Sequence, residues 1–128
     1  MSGKTIEKHT FMQGHVLFRQ GDIADNCYLV RDGEIELSRA SESGKIRAFT
    51  TVKKGEILGE MSMIGDTPRT ATATVIKDVE LAVISRQDFD EQLDRLNPFM
   101  KRLIRLIFQR LSNTTKDLTR GDNPLSYD

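Results

Sequence analysis

The pattern of apolar and polar positions along the chain changes its period once, at Ser85. From Phe11 to Ser85, short β-rich runs alternate with glycine turns, and strands at this spacing are typical of an antiparallel sandwich or roll of the jelly-roll kind. After Ser85, the apolar residues recur at helical spacing. The sequence therefore predicts a mainly β protein, with a β-roll over residues 11–85 and two C-terminal helices over residues 86–112.

Within the roll, polar turn residues separate the predicted strands. The clearest hairpin is CYLVRDGEIELSRA, where two β-rich runs meet at Asp32-Gly33. The run KIRAFTTV predicts a further strand. Near the end of the roll, TATATVIK and VELAVIS predict two more strands, with Lys77-Asp78 between them.

Both predicted helices have start signals. Ser85, with Asp88 three residues later, resembles a capping box before RQDFDEQLDRL. Asn97-Pro98 supplies an N-cap and a proline at the first helical position of a second helix, which is predicted to run to about Leu111. The apolar stripe of this second helix is wider than packing on a small roll requires. We therefore expect it to contact something else as well, either a second copy in a homodimer or a protein partner.

The two ends of the chain are polar. Residues 1–10 predict a flexible lead-in, and residues 113–128 predict a tail that frays or is disordered. The expected domain is therefore residues 11–112.

Length and charge limit the classes of function. A chain of 128 residues fits one domain with its own core. Its 19 basic and 19 acidic residues balance to a formal net charge of zero, which argues against nucleic-acid binding by this chain alone. The single Cys27 indicates a reducing compartment. No apolar run approaches the ~18 residues of a membrane span, so we expect a cytoplasmic protein that makes no membrane contact by itself, while a domain cut from a longer chain stays open.

The segment GEMSMIGDTPRTA, residues 59–71, carries the candidate chemistry. Gly59 permits close backbone approach, and amide groups of a helical turn at EMSMI favour an anion. The planar fork of Arg69 matches phosphate oxygens. The carboxylate of Glu60 accepts hydrogen bonds, so it suits a sugar hydroxyl and repels a phosphate. The pattern predicts a ligand that carries both groups; the alternative is a surface ion pair worth at most about 1 kcal/mol.

The segment LGEMSMIGDTPRTATATV resembles the phosphate-binding cassette of the cyclic nucleotide-binding domain family. The family pattern is Phe-Gly-Glu-Leu-Ala-Leu, a short loop, then Pro-Arg-Ala/Thr-Ala-Thr-Val. The upstream VLFRQGDIADNCYLVRDGEIEL resembles the family's N-terminal roll, including Gly21 and the Gly33-Glu34 turn. The two C-terminal helices fall where the family has its hinge helix and lid helix, so the resemblance covers about residues 11–112.

The resemblance implies a regulatory sensor that binds a 3′,5′-cyclic nucleotide, cAMP or cGMP, without a further cofactor and without enzyme activity. Glu60 would accept a hydrogen bond from the ribose 2′-OH, and Arg69 would clamp the cyclic phosphate. Gly59 and the backbone amides around Met61 and Ser62 would complete the anion site. Closure of the last helix would pass the signal to a partner or an adjoining domain.

The sequence does not determine whether the site prefers cAMP or cGMP, and of the two we favour cAMP. Thr70 can bond the amino group of a syn guanine, or contact the phosphate and tolerate adenine. Arg110, near the end of the lid helix, can reach over the base, although a solvated helix residue is the alternative interpretation. Leu58 and Ser62 depart from the family's Phe and Ala. Neither change removes a necessary group, and the Ser62 hydroxyl adds a group that can reach the phosphate.

Other classes of function have less support. His9 and His15 lack the His-x-His spacing of metal-binding rolls, so no metal site is expected. Cys27 is interpreted as a core thiol, and no catalytic triad or carboxylate dyad is present. The alternative function is a degenerate interaction or structural domain of the same fold, against which the intact Gly59, Glu60 and Arg69 argue.

Overall fold

The computed structural model describes residues 6–117, and the side chains of residues 7–111. Within this range the elements are β1 (Ile6–Phe11), β2 (Val16–Phe18), β3 (Asn26–Ala40), β4 (Ile46–Lys53), β5 (Ile57–Leu58), α1 (Glu60–Gly65), β6 (Thr72–Ser85), α2 (Arg86–Asp94) and α3 (Pro98–Asp117). The predicted fold class, an antiparallel β-roll with a short helix and two C-terminal helices, is confirmed.

The roll is organised around the two longest strands, β3 and β6. They pair with each other in an antiparallel sheet whose order is β1-β6-β3-β4, and the short strands β2 and β5 pair with β6 and β3. The inward side chains of these strands form the main core. Its fully buried members are Ile35, Leu37, Leu58, Ala71, Ala73 and Leu81.

The predicted hairpin turn at Asp32-Gly33 is wrong. β3 runs through this position without reversing, and β6 likewise runs through Lys77-Asp78. The two irregular segments lie opposite each other, with Glu34 paired to Lys77, and the register shifts between Val30 and Ile35. Bulges of this kind bend a strand without ending it. The turn-forming residues therefore mark a shared bend of two long strands.

Gly33 lies where the two bent strands approach most closely. Its φ is 92°, and a Cβ at this position would overlap the carbonyl oxygen of Asp78 and the atoms of Val79. Glycine is therefore required here both for its backbone conformation and for the missing side chain.

The folded domain extends beyond the predicted residues 11–112 at both ends. Residues 6–10, part of the predicted flexible lead-in, belong to β1 and pair with β6. Helix α3 continues to Asp117, past the predicted end near Leu111 and into the predicted tail. The remainder of the predicted lead-in and tail lies outside the described residues.

The start signals of α2 and α3 are confirmed. The Ser85 hydroxyl accepts a hydrogen bond from the Asp88 amide at 3.1 Å. The Asn97 side chain accepts one from the Met100 amide at 2.8 Å.

Helix α3 is amphipathic and only partly covered. Phe108 packs against Gly65 at the end of α1, so closely that a Cβ on Gly65 would overlap its ring. Another set of apolar side chains on α3 is exposed: Phe99, Met100, Leu103 and Ile107. Within residues 6–117, none of the helices has both the length and the apolar character needed to cross a bilayer.

We expect Gly33→Ala to destabilise the protein much more than Gly14→Ala. Both glycines have a positive φ, 92° and 95°, but nothing lies within 4 Å of a Cβ at Gly14. The Gly14 variant carries only the backbone penalty of about 1–2 kcal/mol, whereas the Gly33 variant also forces two strands apart. Urea denaturation measures both losses, and equal losses would show that the close approach at Gly33 is unimportant.

Candidate functional site

The guanidinium of Arg69 is the buried polar centre of the site. The residue is 3% exposed. Its Nη1 donates to the Gly59 carbonyl at 3.1 Å, and its Nη2 donates to the carbonyl and side-chain oxygens of Asn26 at 2.5 and 3.2 Å. The group also lies over the ring of Phe18, with 4.1 Å between Cζ and the ring centroid. Hydrogen bonds and a cation–π contact thus compensate the burial of this charge.

The main chain of Arg69 is held by the turn at Gly21-Asp22. The Gly21 amide donates to the Arg69 carbonyl at 2.7 Å, and the Arg69 amide donates to the Asp22 carbonyl at 2.8 Å. The Asp22 carboxylate accepts from the Arg19 amide at 2.9 Å and closes the turn. The turn in FRQGD therefore holds the main chain of Arg69 in place.

Gly59 lets the arginine approach α1. It is the N-cap of that helix, is buried, and has a φ of 87°. A Cβ at this position would overlap Nη1 of Arg69. A side chain here would therefore displace the guanidinium, so the predicted importance of Gly59 has a geometric basis.

Glu60 is the first residue of α1 and is half-buried. It lines a cavity of about 290 Å³ together with Val52, Gly55, Glu56 and Ile57. The carbonyl of the preceding residue, Gly59, accepts a hydrogen bond from the guanidinium of Arg69, so the start of α1 lies between the cavity and the arginine. The cavity gives this site an opening with both apolar and polar walls.

Ser62 organises the loop that leads from α1 to Arg69. It is fully buried, and its hydroxyl donates to the Pro68 carbonyl at 3.3 Å. Its carbonyl accepts from the amides of Asp66 and Thr67. The Ser62 hydroxyl therefore contacts the loop that carries Arg69. Met61, its neighbour in the first turn of α1, is half-buried.

Thr70 and Arg110 are the outer residues of the predicted site. Thr70 follows Arg69 directly and is exposed, and its carbonyl accepts a hydrogen bond from Nε of Arg39 at 3.0 Å. Arg110 is exposed on α3. It lies about 200° around the helix from Phe108, which faces α1. The structure thus places Gly59 against Arg69 and Ser62 against the loop that precedes Arg69, whereas Thr70 and Arg110 are exposed and Arg110 lies on the side of α3 away from α1.

Sequence reasoning missed three side chains that shape the site: Phe18, Asn26 and Arg39. Asn26 is 43 residues from Arg69 in sequence, and Arg39 is 31 residues from Thr70. No local spacing relates such distant positions. The sequence indicates only that these positions belong to the roll.

A second cluster of buried side chains connects α1 to α2. Ala24, Cys27 and Met63 form it, with Ile84 and Phe89 packed against them. The prediction of a core thiol at Cys27 agrees with its burial. Among the residues described, no group of three or more His, Cys, Asp and Glu side chains is placed to hold a metal ion.

Arg86, the first residue of α2, adds a polar connection to α1. Its guanidinium donates twice to the Ala24 carbonyl, at 3.1 and 2.8 Å, and lies 3.5 Å from the Asp66 carboxylate. The short helix at the site is therefore joined to α2 by apolar and polar contacts.

Tyr28 is a buried titratable group next to the arginine. Burial raises its pKa above the ordinary value of 10.0, and the nearby Arg69 charge and a hydrogen bond with Asn26 offset part of that rise. Its ring stacks on Phe18, with 6.2 Å between centroids. The folded protein therefore holds the phenol proton more tightly than the unfolded chain does.

We expect the protein to lose stability in alkaline solution through Tyr28. The stabilisation from its raised pKa is fully present below pH 10.0 and is lost as the pH rises through the higher pKa of the folded state. Urea denaturation from pH 9 to 11 measures this loss, and Tyr28→Phe should reduce its slope. An unchanged slope in the variant would assign the alkaline loss to other groups.

The cyclic nucleotide-binding domain model matches residues 8–95. Among relatives, the cyclic AMP receptor protein of Thermus thermophilus is 31% identical over 113 residues, which are 88% of this chain and 52% of that protein. The cAMP-dependent protein kinase regulatory subunit of Blastocladiella emersonii is 30% identical over 97 residues, 76% of this chain and 24% of that one. The chain thus spans about half or less of the length of these relatives.

The solved structures give the same result. The catabolite activator protein of Thermus thermophilus superposes with a TM-score of 0.73 at 30% identity, covering 90% of this chain and 54% of that one. The matched region contains β2 to β6 and α1, which build the whole of the Arg69 site. The chain belongs to the cyclic nucleotide-binding domain family.

Proposed function

We propose that this chain is a regulatory sensor that binds a 3′,5′-cyclic nucleotide, with cAMP favoured over cGMP. The observation that carries the proposal is the buried Arg69 guanidinium, which is held against the backbone of the residue preceding Glu60. A site that joins a buried cation to an adjacent carboxylate suits a ligand with an anionic part and a hydroxyl part.

In this proposal Arg69 contacts the cyclic phosphate and Glu60 accepts the ribose 2′-OH. The backbone amides of Met61 and Ser62, in the first turn of α1, are the further donors in this proposal. Gly59 leaves room for the guanidinium of Arg69 beside α1. The phosphate contact is charge-assisted and shielded from water, which makes it stronger than the same contact on an open surface.

In this proposal the rest of the nucleotide occupies the cavity beside Glu60. Its apolar residues, Val52 and Ile57, offer surface for the ribose or base, and Ile57 is half exposed. The preference for cAMP is supported by the two relatives, whose names refer to cyclic AMP. Those names describe regulators, and the proposed activity here is binding without catalysis.

Signal passage would use the contacts of α1. Phe108 of α3 packs on Gly65 at one end of α1, and Met63 joins the cluster that contains Phe89 of α2. A ligand that draws α1 inward would therefore act on both C-terminal helices, provided that it binds the closed arrangement more tightly. Arg110 would reach the base only after α3 has turned. The exposed apolar set on α3 is the proposed contact with a second copy, a partner or an adjoining domain.

We expect Glu60→Gln to weaken discrimination between cAMP and 2′-deoxy-cAMP. A hydrogen bond to a charged group contributes roughly 1.5–3 kcal/mol, so the wild type should prefer cAMP by about tenfold or more. The neutral amide should reduce that preference several-fold. Isothermal titration calorimetry on nucleotide-stripped protein measures both ligands.

Glu42→Gln, in the exposed turn after β3, is the control for loss of a negative charge and should keep the wild-type preference. A folded, nucleotide-free wild type that binds neither cAMP nor cGMP up to millimolar concentration would overturn the proposal. The protein would then be a degenerate interaction domain of the same fold.

We expect Gly59→Ala to abolish most cyclic nucleotide binding, because the added methyl group displaces Nη1 of Arg69. Gly44→Ala has the same kind of backbone strain, with a φ of 86°, and nothing within 4 Å of its Cβ. Calorimetric titration should show a loss of at least about tenfold for the first variant only. Thermal denaturation checks that both variants are folded. Comparable affinities of the Gly59→Ala and Gly44→Ala variants would show that binding does not depend on the position of the Arg69 guanidinium.

A further inference from the structure

Arg39, on β3, contacts the site from outside the predicted cassette. Its guanidinium lies over the ring of Phe49, with 4.5 Å from Cζ to the centroid, and its Nε donates to the Thr70 carbonyl at 3.0 Å. In this way one side chain connects β3, β4 and the peptide that follows Arg69.

The position of Phe49 comes from an irregularity in β4. Ala48 pairs with Ser38 and Thr50 pairs with Leu37, so Phe49 is an extra residue between two paired positions. Such a bulge re-aims the side chain of its strand. Phe49 is half-buried against the main core and presents its ring to the guanidinium. A flexible arginine is thereby held in one orientation.

The main chain of Arg69 and Thr70 is held by hydrogen bonds to two other parts of the roll. The amide and carbonyl of Arg69 bond to the Gly21-Asp22 turn, and the next carbonyl, that of Thr70, bonds to Arg39. The Thr70 side chain itself is exposed. Its hydroxyl can both donate and accept, and its position relative to the buried guanidinium depends on the peptide that Arg39 holds.

We propose that Arg39 is a positioning residue of the nucleotide site, acting through Thr70. This rests on the proposed function. Arg39 fixes the main chain of Thr70, so binding does not have to order the backbone that carries the hydroxyl. Loss of Arg39 leaves Arg69 and Glu60 in place and lowers affinity through the threonine alone.

A double-mutant cycle tests this role. Calorimetry with cAMP and with cGMP would compare the wild type, Arg39→Gln, Thr70→Ala and the double variant. We expect Arg39→Gln to weaken binding about five- to tenfold in the wild-type background, and less than about twofold in the Thr70→Ala background. Arg39→Lys, which keeps the charge but not the planar fork, should recover only part of the affinity.

Arg47 provides the matched control. It lies directly opposite Arg39 on β4 and is exposed, so Arg47→Gln removes the same charge from the same strand pair. Its effect should stay below about twofold. Thermal denaturation of every variant separates folding from binding.

Equal losses in Arg39→Gln and Arg47→Gln would overturn the proposal in favour of general electrostatic attraction. An Arg39→Gln effect that persists in full without the Thr70 hydroxyl would overturn it in favour of a structural role. A wild type that binds neither nucleotide overturns the proposed function first, and the role of Arg39 with it. A wild type that binds while Arg39→Gln binds equally well overturns the role of Arg39 alone.

Discussion

The burial of the Arg69 guanidinium is the constraint on which the site depends. A charge this deep is tolerated only when its donors meet acceptors, and here those acceptors come from Gly59 and Asn26, with the ring of Phe18 against its face. The Arg69 side chain can therefore be buried in this way only when the segments that carry Phe18, Asn26 and Gly59 have packed together. Because the arginine and Gly59 are in contact, the same requirement also sets the position of Glu60 at the start of α1.

The paired bend of β3 and β6 makes this convergence possible. Two long strands cross the whole roll, and their irregular register near Gly33 curves the sheet while keeping the strands paired. The curved sheet brings the start of β3, which carries Asn26, to the end of the loop that carries Arg69. A flat sheet with a true hairpin at Asp32-Gly33 would have ended β3 halfway and left its second half to pair elsewhere.

Helix α1 connects the site to the rest of the molecule. It is only six residues long, yet it contacts Arg69 through Gly59, α3 through Gly65 and the α2 cluster through Met63. The position of α1 and the packing of both C-terminal helices therefore depend on each other, since Gly65 contacts Phe108 and Met63 packs in the cluster with Phe89.

The sequence by itself determined the β-roll class, the starts of α2 and α3 and the composition of the segment from Gly59 to Thr70, because each rests on local physics: strand spacing, capping side chains and the functional groups of neighbouring residues. The hairpin turn that the sequence predicts at Asp32-Gly33 is wrong. The same residues favour both a turn and a bulge, and only the partner strand decides between them. The sequence did not reveal Asn26, Phe18 or Arg39 as parts of the site, because their relation to Arg69 and Thr70 exists only after distant strands have paired. The tertiary structure also placed Arg110 on the side of α3 that faces away from α1. Helical periodicity shows which residues share a face, but only the packing of Phe108 on Gly65 shows which face is turned to the site.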